Sequence, residues 1–341
     1  MPSMIDKLLN SSTIKTTAVL NQSESYNEKD STPTDIAMLN VALSGRIDGG
    51  LTSGLTMIAG PSKHFKTMFS LILAAAYLKK NPDAAVLFYD SEFGTPQSYF
   101  EQFGIDLSRV VHVPITDIEM LKHDIVNQVT NITRGDKVFI LIDSIGNLAS
   151  KKEVEDSLGG KSVADMTRAK QLKSLFRMIT PHLAMKNLPM VVINHTYAEL
   201  SLFPKQIVSG GTGAFYSSDT IWIIGRQQEK DGKDVVGYNF VINIEKSRYA
   251  REKSKIPITV TYDHGIHKYS GVFDAALGAG LIKKATAGYY SVGASKSKQR
   301  RSEIEQNEQL LQDIIDSDEF KQYISETYTA TGQVDTEQED A

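Results

Sequence analysis

Gly60-Pro61-Ser62-Lys63-His64-Phe65-Lys66-Thr67 stands between an apolar run, Leu55 to Ala59, and a stretch with helical patterning, Met68 to Lys79. A strand, a tight turn and a helix in that order bring backbone N–H groups and the positive end of a helix dipole to bear on an anion. The eight residues match G-x-x-x-x-G-K-[ST] except that Phe65 occupies the second glycine position. On this reading Gly60, Pro61, Ser62, Lys63, His64 and Phe65 wrap a triphosphate, Lys66 reaches its β and γ phosphates, and Thr67 offers a hydroxyl to Mg²⁺. A phenylalanine held at positive φ costs about 1–2 kcal/mol, so either Phe65 keeps negative φ or the loop carries strain. The competing reading is an ordinary strand-to-helix turn with a chance Lys-Thr pair.

Further apolar runs follow at Ala84 to Tyr89, Val138 to Ile142 and Met190 to Ile193, with helical segments at Ile118 to Thr133 and Val163 to Met185. That alternation predicts an α/β fold: a mostly parallel twisted sheet with helices on both faces. Past Gly213, the runs Thr220 to Ile224, Tyr238 to Ile244 and Ile256 to Tyr262 read as antiparallel additions to the sheet edge. Two acids fall at strand ends. Asp143 closes the Phe139-to-Ile142 run, where a phosphate-loop site needs a carboxylate for the Mg²⁺ shell, and Glu92 lies just beyond Tyr89-Asp90, where it can face the γ-phosphate and orient water. Each acid taken alone also suits a capping or surface position.

Composition narrows the function classes. With no cysteine there is no disulfide, thiolate nucleophile or Cys-ligated zinc, which fits a reducing compartment. The most apolar stretch, Met68 to Leu78, is too short to span a bilayer. His264-x-x-His267 lacks a third ligand at suitable spacing, and no Gly-x-Ser-x-Gly elbow occurs. The formal charge of −4 hides an asymmetry: residues 302–341 hold twelve Asp or Glu against the single Lys321, a balance of −11, so the remainder carries +7. A basic body with an acidic tail suits a protein that meets nucleic acid, and it equally suits a solvated C-terminus. Residues 1–33 are rich in Ser, Thr and Asn, with Ile5, Leu8, Leu9 and Ile14 at helical spacing; near the other end, Lys296, Lys298, Arg300 and Arg301 precede a short amphipathic helix around Ile304 to Ile315.

Several segments together resemble the phage UvsX-type recombinases of the RecA family. They are Gly60 to Thr67, Tyr89 to Gly94, Ile142 to Glu153, Asp165 to Lys170, Ile193 to Tyr197 and Glu245 to Arg248, and the likeness runs from about Leu39 to Tyr290. Phe65 fits that pattern, which carries Phe where bacterial RecA carries Gly. The resemblance implies a RecA-like ATPase core over 34–271 with two DNA-binding loops, about 151–163 and 196–213. It also implies a short oligomerisation segment over 1–33 and a small C-terminal region with an acidic tail over 272–341.

Residue by residue, the resemblance implies Glu92 as the water-activating acid, Tyr99 as the aromatic against adenine, and His195 as a polar sensor of the γ-phosphate. Lys246 and Arg248 match cations that reach the nucleotide of a neighbouring protomer, which would couple hydrolysis to assembly. Arg168 matches a DNA-phosphate ligand, and Gly210 and Gly211 match glycines whose amides approach DNA. Leu200, Leu202 and Phe203 offer apolar wedges in the second loop, or else pack it onto its own domain. The implied function is ATP- and Mg²⁺-dependent strand exchange on single-stranded and double-stranded DNA by a helical filament, in recombination, repair and replication. A loading mediator and a single-strand-binding protein are implied partners, and the cytoplasm, of a host cell if phage-encoded, the implied location. Two rivals share these motifs: a hexameric RecA-fold DNA helicase, and an accessory protein that binds ATP and DNA but barely hydrolyses.

Overall fold

A computed structural model describes residues 3–23, 30–160, 167–199, 206–293, 295 and 297–330. The chain opens with α1 (Met4–Ser11) and α2 (Ala37–Ser44), then enters the core through β1 (Gly54–Ala59), α3 (Lys66–Lys80) and β2 (Ala85–Asp90). It continues through α4 (Gln97–Gln102), β3 (Val110–Pro114), α5 (Ile118–Asn131), β4 (Val138–Asp143), α6 (Lys151–Leu158), α7 (Thr167–Lys186) and β5 (Pro189–Asn194). A small hairpin, β6 (Thr196–Ala198) and β7 (Gln206–Val208), precedes α8 (Thr212–Ser217) and the long strands β8 (Thr220–Asp231) and β9 (Asp234–Ser247). Next come β10 (Lys255–Thr261), β11 (Gly265–Ile266) and α9 (Val272–Gly278). The last elements are β12 (Ile282–Thr286), β13 (Tyr289–Val292), β14 (Gln299–Arg300), α10 (Arg301–Gln306), α11 (Glu308–Asp316) and α12 (Asp318–Tyr328).

Nine strands form one sheet in the order β11-β10-β9-β8-β1-β5-β4-β2-β3. The expected mostly parallel sheet is present: β1 pairs in parallel with β5, β5 with β4, β4 with β2 and β2 with β3. One detail differs from expectation, because β8 also runs parallel to β1, and antiparallel pairing starts only with β9. The central parallel strands β1, β2, β4 and β5 are buried almost throughout because helices cover both faces. Val86 and Phe88 pack toward α3, α2 and the C-terminal helices, while Leu87 and Tyr89 pack toward α5 and α7. The only tryptophan, Trp222 on β8, is fully buried; its indole N–H donates to Ala42 O (3.2 Å), and its ring meets Phe69 of α3 edge-on at 6.5 Å.

The C-terminal elements share the core rather than standing apart from it. Ile304, Leu311, Ile315, Phe320 and Ile324 are buried in the same apolar cluster as Leu39 of α2 and Ile258 of β10. The single helix expected over Ile304 to Ile315 is two helices. Asn307 divides them, because its side-chain oxygen accepts from Leu310 N–H (3.1 Å) and so restarts the helix as a cap. Among the described residues, no helix is long and apolar enough to cross a membrane. Because Phe320 is wholly buried in that shared cluster, Phe320→Ala is expected to lower the stability of the whole chain by about 3–5 kcal/mol. Urea unfolding should then show one transition moved to lower denaturant, and loss of a separate C-terminal transition alone would contradict a shared core.

Candidate nucleotide and nucleic-acid site

The phosphate loop leaves β1 at Gly60 and enters α3 at Lys66. Phe65 takes the left-handed conformation (φ 61°, ψ 16°), and Lys63 does as well (φ 60°), so the loop carries the strain that the sequence left open. Strain of about 1–3 kcal/mol per residue persists only where the surroundings hold it. Here the Phe65 ring stacks on Phe240 of β9 (4.9 Å, 26°) and meets Phe69 edge-on (5.4 Å). Arg226 of β8 donates to Lys63 O (3.0 Å) with its guanidinium 4.8 Å over the Tyr238 ring. The aromatic side chain thus anchors the loop that its own backbone strains. Lys66 is buried with its ammonium donating to Pro61 O (2.8 Å), and burial pulls its pKa below the ordinary lysine value despite nearby Glu92 and Asp143.

The parallel register sets the acids. Asp90 and Asp143 are paired across β2 and β4, so both strands end at the same level. Asp143 is buried; its Oδ2 accepts from Thr67 Oγ (2.8 Å), and its Oδ1 has no partner. Burial pushes its carboxyl up to about 6, against the pull of the Thr67 hydrogen bond. An orphaned buried carboxylate oxygen beside a hydroxyl, at the mouth of a phosphate loop, is what a hard divalent cation requires. Asp90 instead accepts from the N–H groups of Glu92 and Phe93 (3.0 and 2.8 Å), which shapes the turn carrying Glu92. One oxygen of Glu92 accepts from Ser144 Oγ (2.6 Å) and His195 Nε2 (3.0 Å), with the Asn147 amide at 3.4 Å. The His195 bond is the main reason the Glu92 carboxyl lies below its ordinary range, with Ser144 adding to it and burial opposing. The side chains of Lys66, Thr67, Glu92, Tyr99, Asp143 and His195 line a cavity of about 300 Å³. Tyr99, Phe65 and Met68 also line a larger adjoining groove of about 1180 Å³ that reaches Tyr262.

Among the described residues, the segments expected as loops contain regular elements. Lys151–Leu158 is helix α6, begun by Ser150 accepting from Glu153 N–H, and Thr196–Ala198 pairs antiparallel with Gln206–Val208 as β6 and β7. Leu200, Leu202 and Phe203 lie outside the described residues. Asn194 closes the base of that hairpin: its amide nitrogen donates to Ser209 O (2.8 Å), while its oxygen accepts from His195 N and Ser209 Oγ (2.8 Å each). Gly210 and Gly211 both adopt positive φ and lie on α7, so that a Cβ at Gly210 would come within 3.0 Å of Leu172. Arg168 is neither on a solvated face nor pointing freely outward. Its guanidinium donates to three carbonyl oxygens, Ile145 (2.7 Å), Gly146 (2.9 Å) and Leu148 (2.8 Å).

Lys246 and Arg248 sit away from their own phosphate loop. Lys246 is level with Ile221 on β8, hence with Met57 on β1, and its ammonium donates to Phe215 O (2.9 Å) and Tyr216 O (3.2 Å) at the end of α8. Arg248 is level with Leu55 through Asp219, about 15 Å along the strand direction from Gly60, and its exposed guanidinium pairs with Asp219. Sequence reasoning missed Ser144, Asn147, Asn194 and Arg226. The available signal for Asn194 was an amide ending an otherwise apolar strand.

Comparisons with known proteins bear on the family of the chain. The family described as RecA N-terminal domain matches residues 4–267. The chain is 51% identical over 291 residues to the "Recombination and repair protein" of Enterobacteria phage T4, covering 85% of this chain and 74% of that one. It is 26% identical over 274 residues to "Protein RecA" of Syntrophus aciditrophicus (79% and 76% covered) and 27% over 288 residues to "Protein RecA" of Chlorobaculum parvum (83% and 80%).

The two opposing effects at Phe65 predict an order of stabilities. Phe65→Gly relieves the left-handed backbone but loses the ring contacts, whereas Phe65→Ala loses the ring and keeps the strain, so alanine should be the less stable by about 1 kcal/mol. Thermal melts ranking phenylalanine first, glycine second and alanine last would agree. A glycine variant more stable than the parent would show that relief of the strain outweighs the ring contacts, and an alanine variant as stable as the parent would show that the ring anchors nothing.

Proposed function

The chain belongs to the RecA family, and from that membership we propose that it is an ATP-dependent strand-exchange recombinase that coats single-stranded DNA as a helical filament and acts in recombination and repair. It is a RecA-type recombinase and a DNA-dependent ATPase. The observation that carries the mechanism is the shared oxygen of Glu92: the carboxylate that faces the phosphate loop is bonded to His195, and His195 is the residue from which the β6–β7 hairpin springs. A change at the hairpin is thereby a change at the carboxylate.

In this mechanism Gly60 to Thr67 wraps the triphosphate of ATP, with the Lys66 ammonium exchanging Pro61 O for phosphate oxygens. Thr67 and Asp143 hold Mg²⁺, which would neutralise phosphate charge and polarise the γ-phosphoryl group. Tyr99 packs the base, at the border between the cavity and the larger groove. Glu92 orients the attacking water, and His195 releases or reclaims it according to the hairpin. Gly210, Gly211 and the second loop, with Leu200 and Phe203, hold the single strand, and a duplex is tested against it by base pairing. Phosphate neutralisation makes that hold sequence-independent and salt-sensitive.

Lys246 and Arg248 act on the nucleotide of a neighbouring protomer; their position far down the sheet from their own loop supports a role in trans. Residues 1–33 serve assembly: α1 presents Met4, Ile5 and Leu8 to solvent, an apolar face suited to another copy of the chain. Functional segments bounded near residues 33 and 271 within the shared core, a cytoplasmic site of action, and a phage mediator and single-strand-binding protein as partners complete the reading, on the strength of the likeness to the T4 protein.

Two outcomes test it. Glu92→Gln should suppress DNA-stimulated ATP turnover by about 10²-fold or more while ATP binding survives, measured by steady-state phosphate release beside equilibrium binding of a fluorescent analogue. Wild-type turnover in that variant removes Glu92 from its role. Because the Asp143 carboxyl titrates at about 6, it is protonated below that pH, and protons then compete with the metal. Affinity for Mg²⁺-nucleotide should therefore fall about tenfold for each pH unit below 6 and level off above it. A flat profile from pH 5 to 7.5 would show that Asp143 does not take the cation.

A further inference from the structure

The three carbonyl oxygens that receive Arg168 belong to the strip that seats the hydrolytic carboxylate. Ile145, Gly146 and Leu148 flank Asn147, whose amide lies 3.4 Å from Glu92, and they follow Ser144, whose hydroxyl donates to Glu92 at 2.6 Å. Gly146 is pressed against the sensor: a Cβ there would stand 2.1 Å from His195 Cδ2, so a shift of the strip by a fraction of an ångström moves the imidazole. Ile145 N–H also donates to Ile193 O at the end of β5, which ties the strip to the strand that leads into the hairpin. Ser144, Asn147 and His195 thus hold Glu92 on a platform, and Arg168 is the side chain that fastens that platform from behind.

Arg168 stands in the first turn of α7, and the same turns carry the glycines of the second loop. Gly211 lies 3.7 Å, as an added Cβ, from the Ala169 side chain; Gly210 would come to 3.0 Å from Leu172, and Gly213 to 2.6 Å from Lys173. The guanidinium is half-buried, and burial draws its pKa below the ordinary arginine value, as befits a group that faces carbonyl oxygens rather than water. The three carbonyls engage Nε and Nη2, three of the five N–H groups, so a phosphate could be met only through Nη1 and not by the two-nitrogen fork on that side.

We propose that Arg168 is a positioning residue that transmits DNA engagement at the start of α7 to Glu92, by fixing the carbonyl strip 145–148 on which Ser144, Asn147 and His195 rest. The proposal builds on the assignment of Glu92 as the water-orienting acid. It differs from the phosphate-ligand role that the sequence resemblance implies for this arginine, and the two roles predict opposite results. A phosphate ligand lost from single-stranded DNA binding lowers affinity and reduces the salt slope by about 0.7. A positioning residue leaves both in place and lowers turnover, because misplacing a supporting group behind the reacting atoms costs roughly ten- to a hundredfold in rate.

The test uses full-length Arg168→Lys and Arg168→Gln. Single-stranded DNA affinity is measured against salt with a non-hydrolysable ATP analogue, beside kcat and KM for ATP at saturating DNA. Expected for both variants are affinity and salt slope as in the parent and an unchanged KM for ATP, with kcat at saturating DNA reduced roughly ten- to a hundredfold in Arg168→Gln and less in Arg168→Lys. Lysine can reach one or two of the carbonyls but not all three in a fixed fork, so partial rescue belongs to the expectation. A lowered salt slope with full kcat at saturating DNA would overturn the proposal in favour of phosphate binding, and so would a parental kcat in both variants. Where Arg168→Gln fails to fold, the lysine variant decides by the same two readings. Glu92→Gln run alongside separates the two failures: an inactive glutamine variant at 92 with a parental Arg168→Gln sinks only the positioning role, whereas parental turnover in Glu92→Gln sinks the assignment beneath it.

Discussion

One buried carboxylate organises this molecule. Asp143 ends a strand whose side chains pack on both faces, it is shielded from water, and only one of its oxygens finds a donor inside the protein. A half-satisfied acid at that depth is unfavourable unless something outside the chain completes it. The parallel register puts Asp90 beside it, the next strand over ends in Asn194, and the phosphate loop leaves β1 on the same side. Asp90, Asp143 and Asn194 therefore meet at the C-terminal end of the parallel strands, where helices begin, and that end is where ligands bind in sheets of this kind.

The rest of the site consists of short ties between that end of the sheet and the segments proposed to hold nucleic acid. Glu92 is held by Ser144 and Asn147 on the loop after β4 and by His195 at the root of the hairpin, so its placement depends on two elements that touch each other. Asn194 and Ser209 keep the hairpin root closed, and the glycines that follow sit against α7 without side chains of their own. Small residues at such contacts let backbones approach closely, which makes the contact sensitive to slight displacement.

Much of this was legible in the sequence. The apolar runs gave the parallel strands because buried strands need no polar side, and the acids at their ends gave Asp143 and Glu92 because polar groups in such runs can lie only at the tips. The phosphate loop was readable in spite of Phe65, but how Phe65 is tolerated was not: its partner Phe240 lies on β9, remote in sequence, and no local pattern announces a stack between them. The parallel pairing of β8 was hidden for a related reason, since strand direction is set by what lies on either side and not by a strand's own residues. Arg168 shows the limit most clearly. The resemblance implied a phosphate ligand there, and the three carbonyls that its guanidinium meets come from a stretch about twenty residues earlier and show nothing in their side chains.

Trp222 gives this architecture a practical use. The sole indole of the chain touches Phe69, Phe69 touches Phe65, and Phe65 belongs to the turn between β1 and α3, so a contact chain of three rings joins a natural fluorophore to the proposed nucleotide site. Its emission is therefore an unlabelled optical gauge of that turn, readable in real time while filaments grow or dissolve, with no dye to disturb the strand they enclose.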